Sequence, residues 1–112
     1  MRTSLRVTLH NLPTSAELEQ SIRERVAKLE RLCARLTRCH VVVETPQRHA
    51  MQGKQFNVRL DMHLSGVDIA INRDSDSDVH IALSAAFDAA EHKLEEHRSR
   101  ERAKAKTRRE KV

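Results

Sequence analysis

The chain alternates apolar and polar residues in three places and repeats them at helical spacing in two others. Across residues 4–9, Leu5, Val7 and Leu9 share one face while Arg6 and Thr8 share the other, the period of a half-buried strand. Asn11-Leu12-Pro13 interrupts it. Thr14 or Ser15 then caps a helix, and Glu17 follows Thr14 at capping-box spacing. Leu18, Ile22, Val26, Leu29, Cys33 and Leu36 recur at intervals of three or four, an apolar stripe predicting a helix that runs past Leu36. Val41-Val42-Val43 marks a second strand over residues 39–45, ended by Pro46, and a polar stretch to Gly53 predicts a loop.

Phe56, Val58, Leu60, Met62 and Leu64 alternate with Asn57, Arg59, Asp61 and His63, the clearest strand pattern in the chain. Ser65-Gly66 predicts a turn, and Val67, Ile69 and Ile71 complete a hairpin. Residues 73–78 are polar and predict a loop, with Asp78 as N-cap of a second helix that buries Val79, Leu83, Ala86, Phe87, Ala90 and Leu94. The order is β-α-β-β-β-α. Each strand has one apolar face and each helix one apolar stripe, so the fold expected is α+β: a four-stranded sheet with two helices packed on one side.

Beyond Arg98 the apolar period disappears, and the residues alone leave open whether the tail prolongs the helix or is disordered. The division expected is a domain over residues 1–98 and a basic tail over residues 99–112. Net charge is +5 with histidines neutral, but residues 98–112 hold eight Lys/Arg against Glu101 and Glu110, a balance of +6. The remainder is therefore −1, and the excess positive charge sits in an extension suited to a polyanion. No apolar run approaches the length of a membrane span and no signal-peptide pattern opens the chain, so a cytoplasmic protein without membrane contact is expected. Cys33 and Cys39 are read as reduced thiols, at least one of them in the core.

Lys28, Arg31, Arg35 and Arg38 stand at spacings of three, four and three, which on a continuous helix makes one basic stripe able to track phosphates. His92, Lys93, His97, Arg98, Arg100 and Arg102 form a second basic group leading into the tail, interrupted by Glu91, Glu95 and Glu96. Asp74, Asp76 and Asp78 alternate, but an EF-hand loop counted from Asp74 puts Val79 and Ala85 where glycine and glutamate are required. His10, His40 and His63 lie on or near polar strand faces without a metal-binding motif. Neither a nucleophile elbow nor a glycine-rich phosphate loop occurs. No metal, cofactor, small-molecule substrate or enzymatic activity is expected. Phe56 and Phe87, the two aromatic residues, lie on apolar stripes, so nucleic acid would be read through backbone and shape rather than base stacking.

The element order, the segment Val26-Ala27-Lys28-Leu29-Glu30-Arg31-Leu32, the valine-rich second strand and the run from Asp78 through Leu94 to His97 and Arg98 together resemble the ribosome hibernation promoting factors. The related ribosome-associated inhibitor A proteins, also called sigma-factor modulation proteins, share the pattern. The resemblance spans about residues 4–100 and is to the short form, which lacks a second, dimerising domain. It implies a translation inhibitor that binds small-subunit rRNA and occludes the mRNA and tRNA sites during stress or stationary phase. Lys28, Lys93, Arg98 and Arg100 are the residues it favours for rRNA contact, and His92 stands where a basic residue is common. Ala89, where many members have lysine, and the acidic Glu95 and Glu96 depart from the family pattern. A monomer when free is expected. The alternatives are a general structured-RNA-binding module and a protein-interaction module acting in transcription.

Overall fold

A computed structural model of the protein describes residues 2–45, 55–75 and 78–110, with side chains as far as Ala105. Its order is β1 (Ser4–His10), α1 (Ala16–Leu32), β2 (Leu36–Glu44), β3 (Phe56–Leu64), β4 (Val67–Ser75) and α2 (Val79–Glu110). The strands form one sheet in the order β1-β2-β3-β4. The β1–β2 pair is parallel, with α1 as the crossover, and the two following pairs are antiparallel. Helix α1 packs over β1 and β2, α2 over β3 and β4, and the helices touch each other. The expected α+β fold is therefore the observed one. The loop expected from Pro46 to Gly53 lies outside the described residues.

The core is the layer between helices and sheet. Ile22, Val26 and Leu29 of α1 and Leu83, Ala86, Ala90 and Leu94 of α2 are fully buried against Val41, Val43, Val58, Leu60 and Leu64. Each large aliphatic side chain so buried contributes about 1.5–3 kcal/mol. Cys33 and Cys39 are both free and both in this layer. Burial, with Asp61 nearby, pushes the Cys39 thiol up to about 12, so it stays protonated and inert at neutral pH.

Local chemistry sets the element ends. Ser15, rather than Thr14, is the N-cap of α1: its Oγ accepts from the Leu18 N–H at 3.3 Å. Asp78 caps α2 as expected, its Oδ1 accepting from the His80 N–H at 2.7 Å. At the tight β3–β4 turn Gly66 has φ of +81°, a left-handed conformation that glycine adopts without strain. Thr3, buried in front of β1, donates from its backbone N–H to Glu30 at 2.6 Å and from its hydroxyl to the Leu36 carbonyl at 3.1 Å. These two bonds fasten the chain's start to α1 and β2, and Thr3, through its side chain first and its backbone N–H second, holds the Glu30 carboxyl below its usual range.

Two boundaries differ from expectation. Helix α1 ends at Leu32, Cys33 turns into extended backbone, and β2 begins at Leu36. Cys33 and Leu36 are buried as expected, but a turn carries them into the core rather than a further helical turn. A three-residue spacing fits both geometries, which is why periodicity overran the helix. Strand β4 continues to Ser75, so Arg73 and Asp74 belong to a strand and not to a loop. As an edge strand facing largely outward it needs few apolar residues, and its polar half carries no apolar alternation. Cross-strand partners hold it instead: Asn57 donates to Asn72 at 2.6 Å and to Asp74.

Helix α2 continues through Arg98 without a break, 32 residues in all. At 1.5 Å per residue it is about 48 Å long. The radius of gyration, 16.4 Å, exceeds the roughly 13 Å of a compact chain of this length, because the end of α2 projects from the body.

Candidate nucleic-acid interface

The basic residues distribute over three surfaces. The first is a groove of about 240 Å³ where the α1–β2 turn meets α2, lined by Cys33, Arg35, His97, Arg98, Glu101 and Arg102. Arg35 reaches it because α1 has ended: the turn aims its guanidinium across at α2, 3.7 Å from Glu101. Arg98 pairs with Glu95 at 3.1 Å. Counting Glu95, which pairs with Arg98 from the rim, three guanidiniums meet two carboxylates here, a local excess of positive charge. Arg100 is exposed just beyond it on α2, so the basic surface continues along the projecting helix.

The ridge above the groove carries Lys28 and Arg31. Lys28 spans from α1 to Glu91 of α2 at 3.1 Å, and Arg31 lies exposed in the last turn of α1. Arg25 lies over the Phe87 ring, 6.0 Å from its centroid, and helps fix the two helices side by side.

A second groove, about 340 Å³, runs between β4 and α2 and holds His92 and Lys93 with Arg73, Asp88, Ala89 and Glu96. Lys93 pairs with Glu96 at 3.8 Å. Two cations here meet two carboxylates, so this groove is balanced where the first is not. Sequence reasoning missed Arg73 because it lay in a stretch read as loop. The acidic residues that interrupted the second basic group thus have partners: Glu91 with Lys28, Glu95 with Arg98, Glu96 with Lys93. Such exposed pairs are worth about 0–1 kcal/mol, so a phosphate can replace the carboxylate at little cost.

Arg38 lies elsewhere. It is on β2, on the sheet face opposite the helices, opposite Ser4 of β1 and His63 of β3. The single stripe of Lys28, Arg31, Arg35 and Arg38 expected on α1 therefore does not exist: the first two are helical, Arg35 sits in the turn and Arg38 points from the far side of the sheet. The reason is the early end of α1, which moves two positions out of the helical period. Arg6, His40 and His63 share that far face with Arg38 and were not singled out from the sequence as a group with it. Strand alternation put each on a polar face, but only the pairing register makes them neighbours.

The family profile described as sigma 54 modulation protein / S30EA ribosomal protein matches residues 5–102. A comparison with curated proteins gave no sequence match. Among solved structures, a ribosomal subunit interface protein from Coxiella burnetii superposes with a TM-score of 0.74 at 13% identity, covering 87% of this chain and 99% of the other. The N-terminal domain of Thermus thermophilus protein Y superposes with a TM-score of 0.70 at 15% identity, covering 85% and 99%. These two likenesses show the fold. With the profile matching nearly the whole described chain, the protein belongs to the sigma 54 modulation protein / S30EA ribosomal protein family of ribosome-associated modulation and hibernation factors.

Proposed function

We propose that the protein binds rRNA of the small ribosomal subunit and inhibits translation by filling the space that mRNA and tRNA need. It does so by occupancy, with no chemical step, as a monomer when free and in the cytoplasm where ribosomes work. The observation that carries this reading is the excess of positive charge where the α1–β2 turn meets α2, continuous with a projecting helix in a stretch of sequence, residues 98–112, that carries +6. Arg35, His97, Arg98, Arg100 and Arg102 are the principal phosphate contacts, with Lys28 and Arg31 on the ridge and His92 and Lys93 on the flank. The nearly neutral body over residues 1–98 supplies the bulk that occludes, and residues 99–112 supply most of the electrostatic affinity. Polyanion binding of this kind releases counterions, so about six phosphate contacts would cost roughly a thousandfold in affinity between low and moderate salt.

The test is sedimentation of stationary-phase lysate through a sucrose gradient, with intact protein and a variant truncated after His97. Intact protein travelling with small subunits, and weaker association of the truncated form, is the expected result. Intact protein at the top of the gradient at low salt overturns the reading in favour of a protein partner.

A further inference from the structure

The sheet face away from the helices is open, and the pairing register arranges it in rows. One row is Ser4, Arg38, His63 and Asp68; the next is Arg6, His40, Asp61 and Ala70. Together they border a broad hollow of about 590 Å³. The charges in it are unevenly partnered. Asp68 is taken by His63, and Asp61 by Arg59 at 3.3 Å. His40 bonds the Thr8 hydroxyl at 2.8 Å. Arg6 and Arg38 are exposed and make no hydrogen bond or ion pair among the described residues. They stand on adjacent parallel strands, one row apart, which is roughly 7 Å along the strand direction. The hollow thus has both carboxylates already paired and two guanidiniums with donors to spare.

We infer that this open face is a second RNA-binding surface, on which Arg6 and Arg38 hold phosphates of one RNA strand along the β1–β2 side of the sheet. A guanidinium offers a planar fork of donors matched to phosphate oxygens, and a shallow, open hollow admits a continuous backbone. Among the described residues the face carries no Phe, Tyr or Trp to sandwich a base, and its two imidazoles are already engaged, His40 with Thr8 and His63 with Asp68, which favours a strand held by its backbone. The inference rests on the RNA-binding reading above and adds that RNA is engaged on both sides of the molecule, the helix side and the sheet side.

The test uses the full chain and a labelled oligouridylate, with affinity measured as a function of salt. Arg6→Gln with Arg38→Gln is expected to weaken binding and to lower the slope of log affinity against log salt by roughly 1.4, two single-strand contacts' worth. The same decrement is expected when Arg98, Arg100 and Arg102 are also neutralised, since the two surfaces are separate. Arg6→Lys with Arg38→Lys should retain most of the slope, which separates lost charge from damaged fold. An unchanged slope in the glutamine variant overturns the inference. So does uridine monophosphate perturbing the backbone amides of β1 and β2 as strongly as the oligonucleotide does, because the site would then serve a free nucleotide. Binding of oligouridylate through Arg6 and Arg38 by a protein that stays off ribosomes supports this inference while overturning the ribosome reading.

Discussion

Helix α2 is one continuous element with two unlike halves. As far as Leu94 it buries Ala82, Leu83, Ala86, Phe87, Ala90 and Leu94 against the sheet and α1. After Leu94 no described residue is buried, and the surface becomes basic. The packed half stabilises itself by removing apolar area from water. The projecting half has no such support: its helical form is propagation from a turn already paid for by packing. Basic residues at the C-terminal end also complement the helix dipole. The same backbone geometry therefore serves stability in one half and leaves charge for a partner in the other.

The comparison breaks most visibly in the packed half. Phe87→Ala should lower unfolding stability by about 3–5 kcal/mol, since it removes the largest fully buried side chain and leaves a cavity between the helices and the sheet. The urea midpoint should fall with little change in the denaturant slope, and molecules that remain folded should bind RNA as before. Weakened binding by the folded fraction would show that the two halves are coupled.

The projecting half should answer in the opposite way. Replacing Arg98, Arg100 and Arg102 by glutamine should change stability by no more than about 0.5 kcal/mol, the usual range for surface substitutions. Its effect belongs to binding: the slope of log affinity for duplex RNA against log salt should shrink by roughly 2.7 if each residue meets one phosphate. A large loss of stability would mean that these arginines, through contacts such as the intrahelical Arg98–Glu95 pair, support the helix itself instead of standing ready for a partner.

The smallest effect concerns the far corner of the body, where Glu30 accepts from the Thr3 N–H. Hydrogen bonding from Thr3, its side chain first and its backbone second, holds the Glu30 carboxyl below its usual range. A lowered carboxyl contributes stability above the unfolded-state value and loses it as pH falls through the folded-state value. Glu30→Gln should therefore flatten the acid side of the stability profile, measured by thermal unfolding across acidic pH, while leaving the salt dependence of RNA binding untouched.

Much of this was legible beforehand because burial imposes a period. The alternation from Phe56 to Leu64 and the spacing of Leu18, Ile22, Val26 and Leu29 each state which face is inside. Where burial is one-sided and slight, as on the polar half of β4, the period fades and Arg73 was read as loop. Where a turn happens to match a helical interval, as at Cys33 and Leu36, the period persists beyond the helix and misassigns Arg35 and Arg38. Of the candidate residues, His97, Arg98 and Arg102 border one groove from a single helix, whereas Arg35 joins them only across the α1–β2 turn.

By itself the sequence determined the element order, the identity of the core, the cap at Asp78 and the concentration of positive charge from Arg98 onward, because each follows from local spacing or composition. Only the tertiary structure decided which cations share a surface. Whether Arg35 faces α2, or Arg38 lies beside Arg6 on the open sheet, depends on where α1 stops and on the register between strands distant in the chain. Contacts of that range are set by the packing of the whole core.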